Sequence, residues 1–472
     1  MKLNVKTPQV KSYTHEGAPA TPPPNAAVAL RRAVMACLLW EDSFYESGMD
    51  ITKRIQTLVP LVPPEVVHRF AVKARTDMKL RHAPLLLARE MARATPAHRR
   101  MVGQTLAHVI QRADELTEFL AIYWKTNDGK RTLSAQVKKG LAAAFQKFNE
   151  YDFAKYDRDS DVKLRDALFL SHAKPADAPG RLYTKAERKA GRHPKSAGEK
   201  LFERIVNGTL ETPDTWEVEL SDMTGTEGMN DAQKLAHKRD KWVRLLNDNR
   251  LGALALLRNL RNMQQANVPI ELIENAIKVM KVERVLPHRF IAAARFAPNL
   301  ESLLEAKMFE AVKELPKLPG RTLWLIDVSG SMNDPLSQKS DMRRIDAACG
   351  LAMIGRELCE RVAVCTFSSQ LVEVPDRRGF ALRDAIDKSQ PHGATYLGQA
   401  ISAINQKAAY DRIVVVTDEQ SADRVPAPRP GAKGYMINVA AYKNGVGYGD
   451  WNKLDGFSEA VVRYIAEFES ME

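Results

Sequence analysis

Apolar residues recur at helical spacing through the first two thirds of the chain, then give way to short β-branched runs. From Asn25, which offers an N-cap, the residues Ala26, Val28, Ala29, Ala33, Val34, Ala36, Cys37 and Leu38 mark one apolar face of a helix. The same period returns in Glu65–Asp77, Pro84–Arg93, His98–Trp124, Ser134–Lys147 and Leu164–His172. It resumes in Lys234–Asn247, Gly252–Met263, Ile270–Val282 and Arg289–Phe296, with short turns such as LVPLVPPE, RATPAH and RFAPN between runs. Little strand-like alternation precedes Gly320. Many helices on short connections predict an α-solenoid or an irregular bundle. The chain shows no clean repeat, so periodicity alone does not define a regular array.

The character changes at Leu315–Gly320 (LPKLPG), which reads as a linker. The runs TLWLIDVSG, RVAVCTF, DRIVVVT and GYMINVAA follow, separated by the helical stretches Asp341–Glu360, Phe380–Lys388 and Gly398–Ala409. Buried runs alternating with helices predict a doubly wound, mostly parallel sheet whose ligand site lies at the carboxyl ends of its strands. The predicted organisation is an extended, Pro-rich arm over residues 1–24, a helical domain over 25–316 and an α/β domain over 317–472.

Length and charge sharpen this division. A chain of 472 residues exceeds what one core usually serves. From Gly320 onward 18 Lys and Arg face 20 Asp and Glu, a balance of −2; the preceding residues hold 52 basic and 38 acidic side chains, a balance of +14. The whole basic excess therefore falls on the helical part, which points to a polyanionic partner without choosing between nucleic acid and anionic lipid. No apolar stretch approaches the ~20 residues of a membrane span. The first twenty residues lack the apolar core of a secretory signal. The four cysteines, Cys37, Cys349, Cys359 and Cys365, have neither disulfide-scaffold density nor zinc-ligand spacing. A reducing cytoplasm is the expected compartment.

Directly after the first strand-like run stands Asp327-Val328-Ser329-Gly330-Ser331, a D-x-S-x-S sequence. It places a carboxylate and two hydroxyls on one side of the sheet top, hard oxygen donors that suit Mg²⁺ or Mn²⁺. Alone, the two serines would serve equally well as a helix cap, with Asp327 making turn bonds. Thr395 in a pre-helix loop and Asp418 at the end of Ile413–Thr417 supply further oxygens at later strand ends, and the fuller set favours an ion. The pattern resembles the metal-ion-dependent adhesion site of von Willebrand factor A domains over about 150 residues. That resemblance implies that Asp327, Ser329 and Ser331 form the first ligand loop, Thr395 the second and Asp418 the third, with a coordination position left for an acidic partner.

In the helical half, Gln136–Arg158 supplies Lys138, Lys139, Lys147, Lys155 and Arg158, interleaved with Tyr151, Phe153 and Tyr156. Cations along a groove bind phosphates and aromatic rings stack unpaired bases. Arg81, His82, Arg89 and Arg93 have near-helical spacing around Pro84, and His172 and Lys174 end another helix. Each has a plainer reading. Lys138 and Lys139 also suit an ordinary solvated face, Phe145, Phe148 and Tyr151 at helical spacing suit a core, and His82 suits a structural histidine. Lys174–Lys200, rich in Lys, Arg, Gly and Pro, is either an RNA-gripping insert or a solubilising loop.

Several phrases here are similar to the TROVE module of the Ro autoantigen family: AVMACLLWEDSFYESG (Ala33–Gly48), RHAPLLLAREMAR (Arg81–Arg93), QVKKGLAAAFQKFNEYDFAKYDR (Gln136–Arg158), LRDALFLSHAKP (Leu164–Pro175) and LGALALLRNLRNM (Leu251–Met263). A von Willebrand A domain following such a module is the Ro architecture, and the length points to a bacterial or phage member. The resemblance implies a ring of HEAT-like helical repeats closed by the A domain. It further implies a monomer that binds single-stranded 3′ ends of misfolded noncoding RNA in its hole and Y-like RNA on its basic surface. In bacterial members such an RNA can tether a 3′ exonuclease, polynucleotide phosphorylase.

The chain carries no G-x-x-x-x-G-K-[ST] loop, no H-E-x-x-H and no G-x-S-x-G. Binding rather than catalysis is the expectation. The competing expectation is a protein-interaction scaffold, with an A domain that grips an acidic partner and a solenoid that binds peptide.

Overall fold

A computed structural model describes residues 25–35, 48–78, 80–125, 132–157, 161–177, 195–222, 227–283, 285, 288–315, 317–336, 342–418, 420–440, 450–455, 465 and 469. The predicted arm over residues 1–24, Cys37, Arg158 and most of Lys174–Lys200 lie outside the described residues. The chain forms two compact units, residues 54–222 and residues 1–53 with 223–472. No helix among the described residues is long and apolar enough to cross a membrane.

The first unit is helical: the end of α2 (Gly48–Leu58), which runs across the division, then α3 (Pro64–Thr76), α4 (His82–Arg93), α5 (Pro96–Val109), α6 (Asp114–Trp124), α7 (Ala135–Phe145), α8 (Glu150–Tyr156), α9 (Leu164–Ser171), α10 (Ala197–Asn207) and α11 (Trp216–Ser221). α4 packs on α3, α5 and α6, while α7 packs on α5 and α9. The α5–α7 crossing depends on two glycines. A Cβ on Gly140 would stand 2.7 Å from Leu106 Cβ and 2.9 Å from the Gly103 carbonyl oxygen, closer than real Cβ atoms come. The core is filled by Leu85, Leu87, Met91, Leu106, Phe119, Leu141, Phe145 and Phe153, all buried.

One helix boundary departs from the sequence expectation, and the helices α8, α10 and α11 of this unit were not predicted. The helix predicted through His98–Trp124 breaks at Ile110, which turns to extended backbone. Glu115 fixes the break: its Oε2 accepts the Gln111 and Arg112 amides at 2.7 and 3.1 Å, satisfying donors that a new helix start leaves over. The short helix α8 went unpredicted; Asn149 and Asp152 close a reciprocal capping box around its start.

The second unit contains α1 (Ala26–Met35), α12 (Asp231–Asn247), α13 (Ala253–Gln265), α14 (Ile270–Val279), α15 (His288–Phe296) and α16 (Glu301–Val312). They precede a sheet with flanking helices: β1 (Leu318–Asp327), α17 (Arg344–Leu358), β2 (Cys359–Phe367), β3 (Leu371–Glu373), α18 (Gly379–Asp387), α19 (Leu397–Lys407), β4 (Arg412–Thr417), β5 (Lys433–Asn438) and β6 (Trp451–Asp455). Asn25 does cap α1, its Oδ1 accepting the Val28 amide at 2.9 Å. The strand order is β3-β2-β1-β4-β5-β6, parallel except at β3. This is the expected doubly wound sheet; the short strand β3 and the strand β6 were not predicted. α17 is trimmed to Leu358 because Cys359 and Glu360 already belong to β2. α1 packs on β6, while α15 and α16 pack on α17. The first helix and the last helices before the sheet thus both contact the α/β domain.

Candidate ion site and basic surface

In this sheet the strand order reverses between β2-β1 and β4-β5, and it is beyond the carboxyl ends of strands at such a reversal that open α/β sheets bind ligands. Asp327 ends β1 opposite Thr417, which ends β4, and Thr417 Oγ1 donates to Asp327 Oδ2 at 2.6 Å. The Ser329 amide donates to Asp327 Oδ1 at 2.8 Å, folding the loop so that the Ser329 and Ser331 hydroxyls stand 3.3 Å apart. Asp418, one residue past β4, hydrogen-bonds the Ser331 hydroxyl. Thr395 sits in the loop before α19, which meets the first loop where the Gly330 amide donates to the Gly393 carbonyl oxygen at 3.1 Å. All five sequence-selected residues therefore lie on three loops at one sheet edge.

Two buried carboxylates meet at these strand ends, with the Arg344 guanidinium 3.4 Å from Asp418. Asp327 and Asp418 are both 0 % exposed. Burial, reinforced by the charge of Asp418, pushes Asp327 up to about 7. Burial likewise raises Asp418, against the opposing pull of Ser331 and Arg344. Two carboxylates without solvent favour an ion that neutralises both, and hydroxyls beside them complete a hard oxygen set suited to Mg²⁺ or Mn²⁺. Among the described residues no three His, Cys, Asp or Glu side chains converge to hold an ion; the donors here are two carboxylates completed by hydroxyls. Cys349, Cys359 and Cys365 are buried free thiols away from it, Cys359 and Cys365 on β2 and Cys349 on α17.

The basic candidates of the helical half divide into two groups. Arg89 is 2 % exposed, and its Nη2 donates to the Lys125 carbonyl oxygen at 2.7 Å. Arg93 donates to the Tyr123 carbonyl oxygen at 2.8 Å. Both therefore cap the carboxyl end of α6, whose last carbonyls lack helical partners. Lys147 does the same at the end of α5, its Nζ donating to the Ile110 carbonyl oxygen at 2.7 Å. Arg81 bonds Asp114 at 2.5 Å and also Glu118, beside Arg75 on Glu115 at 2.7 Å. Arg89 as the sequence offered it, an RNA contact, is corrected: a buried guanidinium spent on a helix end presents nothing to a ligand.

The second group faces outward. Lys138 Nζ stands 3.2 Å from His172 Nε2, where α7 meets α9, and Lys139 and Lys174 are exposed beside them in sequence. His172 adopts a left-handed conformation (φ 55°) as the cap of α9, which turns its ring out of the helix. His82 is exposed and lies 3.6 Å from Glu118 Oε2. Lys155 Nζ sits over the Tyr151 and Tyr156 rings at 5.8 and 5.7 Å. The aromatic stripe divides as well: Phe145 is buried, Phe148 meets the edge of Phe153, and Tyr151 is exposed. Two outward residues escaped the sequence reading, Phe169, 61 % exposed, and Arg165. They lie at i and i+4 on the face of α9 opposite its buried Leu164, Ala167, Leu168 and Ser171. That spacing was the available signal.

A reversed parallel sheet with D-x-S-x-S at the end of its first strand defines a von Willebrand A type domain, preceded here by a helical module. Residues 321–435 match the family described as the Ro60 vWA domain. Over the whole chain the structure is similar to the crystal structure of the Deinococcus radiodurans Ro (RSR) protein. The TM-score is 0.62 at 18 % identity, covering 92 % of this chain and 97 % of that one. Residues 321–435 are thus similar to the Ro60 type of A domain, and the chain shares the fold of that Ro protein. An aerotolerance-related membrane protein from Bacteroides fragilis matches 25 % of this chain at 17 % identity and a TM-score of 0.19, too slight a likeness to use. No curated protein matches by sequence.

Proposed function

We propose that this protein binds RNA as a Ro-type ribonucleoprotein component in a reducing cytoplasm, acting in RNA quality control or processing without catalysing a reaction. The observation that carries the reading is the concentration of the +14 balance in a helical module of Ro fold. Part of that charge is spent on helix ends and on the acidic residues of α6; Lys138, Lys139, Lys155, Arg165 and Lys174 are among those that face outward, beside His172, Phe169 and Tyr151. Such a surface takes up phosphates electrostatically and stacks unpaired bases, selecting single strands by shape rather than by base edges. The proposed ligands are single-stranded 3′ ends of noncoding RNA and a Y-like RNA, the latter able to tether a 3′ exonuclease. The α/β domain contacts both the first helix and the last helices before it. Asp327, Ser329, Ser331, Thr395 and Asp418 would hold Mg²⁺ or Mn²⁺, which stabilises the loops or receives an acidic group of a partner.

The test is co-purification. Protein isolated at moderate salt should carry RNA, seen as an ultraviolet spectrum shifted to the nucleic-acid maximum, and ribonuclease should remove it. A clean protein spectrum would instead favour the scaffold reading, in which the A domain grips an acidic protein.

A further inference from the structure

Helix α17 begins at Arg344, and this first residue turns inward toward the ion site. Arg344 is 3 % exposed. Its Nη1 donates to the Ser331 carbonyl oxygen at 3.1 Å and stands 3.4 Å from Asp418 Oδ2. Asp334 Oδ2, on the rim, lies 3.4 Å from the same nitrogen. A guanidinium does not lose its proton inside a protein, so a permanent positive charge is built into the wall of a site that contains two fully buried carboxylates. Removing one partner of a buried charge group leaves the other uncompensated, which is strongly destabilising.

We propose that Arg344 is a resident counter-cation that neutralises Asp418 when no ion is bound and gives up that carboxylate when a divalent ion arrives. The proposal rests on the reading of this edge as an ion site. The carbonyl of Ser331 and the carboxylate of Asp334 keep the guanidinium anchored while Asp418 changes partner. Arg344 is a positioning residue, since it acts on a ligand and not on the ion. Two consequences follow from charge alone. The ion-free domain keeps its fold, because one of the two buried negative charges stays matched. Ion binding is weakened by a fixed like charge, in proportion to the charge of the ion.

The full-length protein, stripped with a chelator, is titrated with Mn²⁺ by electron paramagnetic resonance, and its melting temperature is followed with and without Mn²⁺. Arg344→Gln should bind Mn²⁺ more tightly, by about tenfold or more, because a like charge has gone. Its melting temperature in chelator should fall, and the rise on adding Mn²⁺ should exceed that of the wild type. Arg344→Lys, which keeps the charge, should return both readouts toward the wild type. Arg344→Met keeps the aliphatic stem and should match Arg344→Gln; it carries the comparison if the glutamine variant does not fold. Mn²⁺ binding no tighter in Arg344→Gln and Arg344→Met than in the wild type would overturn the proposal, as would a lysine variant indistinguishable from the uncharged ones. A separate result, no Mn²⁺ uptake by the wild type itself, would remove the ion reading first and this proposal with it.

Discussion

The strand-end site and the α7–α9 surface both concentrate polar chemistry, but in opposite ways. At the strand ends, Asp327 and Asp418 are fully buried and each is held by named partners within a few residues of chain or across one strand. On α7 and α9 the basic side chains are mostly exposed, and Lys138 Nζ lies at hydrogen-bond distance, 3.2 Å, from His172 Nε2. The first arrangement buries clustered oxygen donors, which the proposed reading assigns to a small hard ion. The second leaves charge unneutralised for a ligand that brings its own, and exposed charges respond to salt where buried ones do not. A point ligand and a polymer ligand call for these two designs.

Substitutions should separate the two regions, the largest effect coming first. Asp327→Ala should lower Mn²⁺ affinity at least about a hundredfold and abolish the ion-dependent rise in melting temperature, while RNA affinity at fixed salt stays unchanged. If RNA binding collapsed with it, the regions would not be independent. Arg89→Ala should destabilise the helical unit by about 2–3 kcal/mol in denaturant titration, because the buried Glu90 carboxylate loses its 2.8 Å ion-pair partner and the Lys125 carbonyl loses its shorter hydrogen bond. The folded protein should keep its affinity for RNA; a selective loss of affinity would restore Arg89 as a contact.

Acidity gives a third separation. The pKa of Asp327 is raised in the folded state to about 7, so the folded ion-free protein binds an extra proton between about pH 4 and 7. Its stability should therefore be present at low pH and fall as pH rises through that window. Ion affinity should move oppositely, dropping about tenfold per unit as pH falls below about 7, because the ion needs the carboxylate. Calorimetric Mn²⁺ titrations at stepped pH check this, and a flat profile would contradict it.

Lys138→Ala with Lys139→Ala should weaken RNA binding about tenfold at low salt and reduce the slope of log affinity against log salt by about 2, without shifting the melting temperature. Phe169→Ala should have the smallest effect, about fivefold on a single-stranded RNA and none on a blunt duplex, if its exposed ring stacks a base. Equal effects on both RNAs would remove stacking from the account.

Legibility in the sequence followed the same division. The D-x-S-x-S motif, Thr395 and Asp418 could be read because strand ends of a doubly wound sheet converge by topology, so chain order alone brings them together. Arg344 was not legible: an arginine opening a helix looks solvated until the fold turns it toward Asp418. In the helical half, periodicity found many of the longer helices and their apolar faces but missed α2, α8, α10, α11 and α16, and it could not tell Arg89 and Arg93 from Lys138 and Lys139. All four have the spacing of a basic helix face. The difference lies in the α6 carbonyls that meet the first pair, a long-range packing fact. The break at Ile110 was hidden for a similar reason, since Glu115, which stabilises it, reads in sequence as an ordinary charge within a helix.

The most direct test of RNA binding by this protein is titration with a labelled hairpin carrying a single-stranded 3′ tail, beside the same hairpin with a blunt end, at low and high salt. Tail-dependent binding that weakens steeply as salt rises is the expected result. Equal and weak binding of the two RNAs at both salts would contradict it, leaving only nonspecific charge on the helical unit.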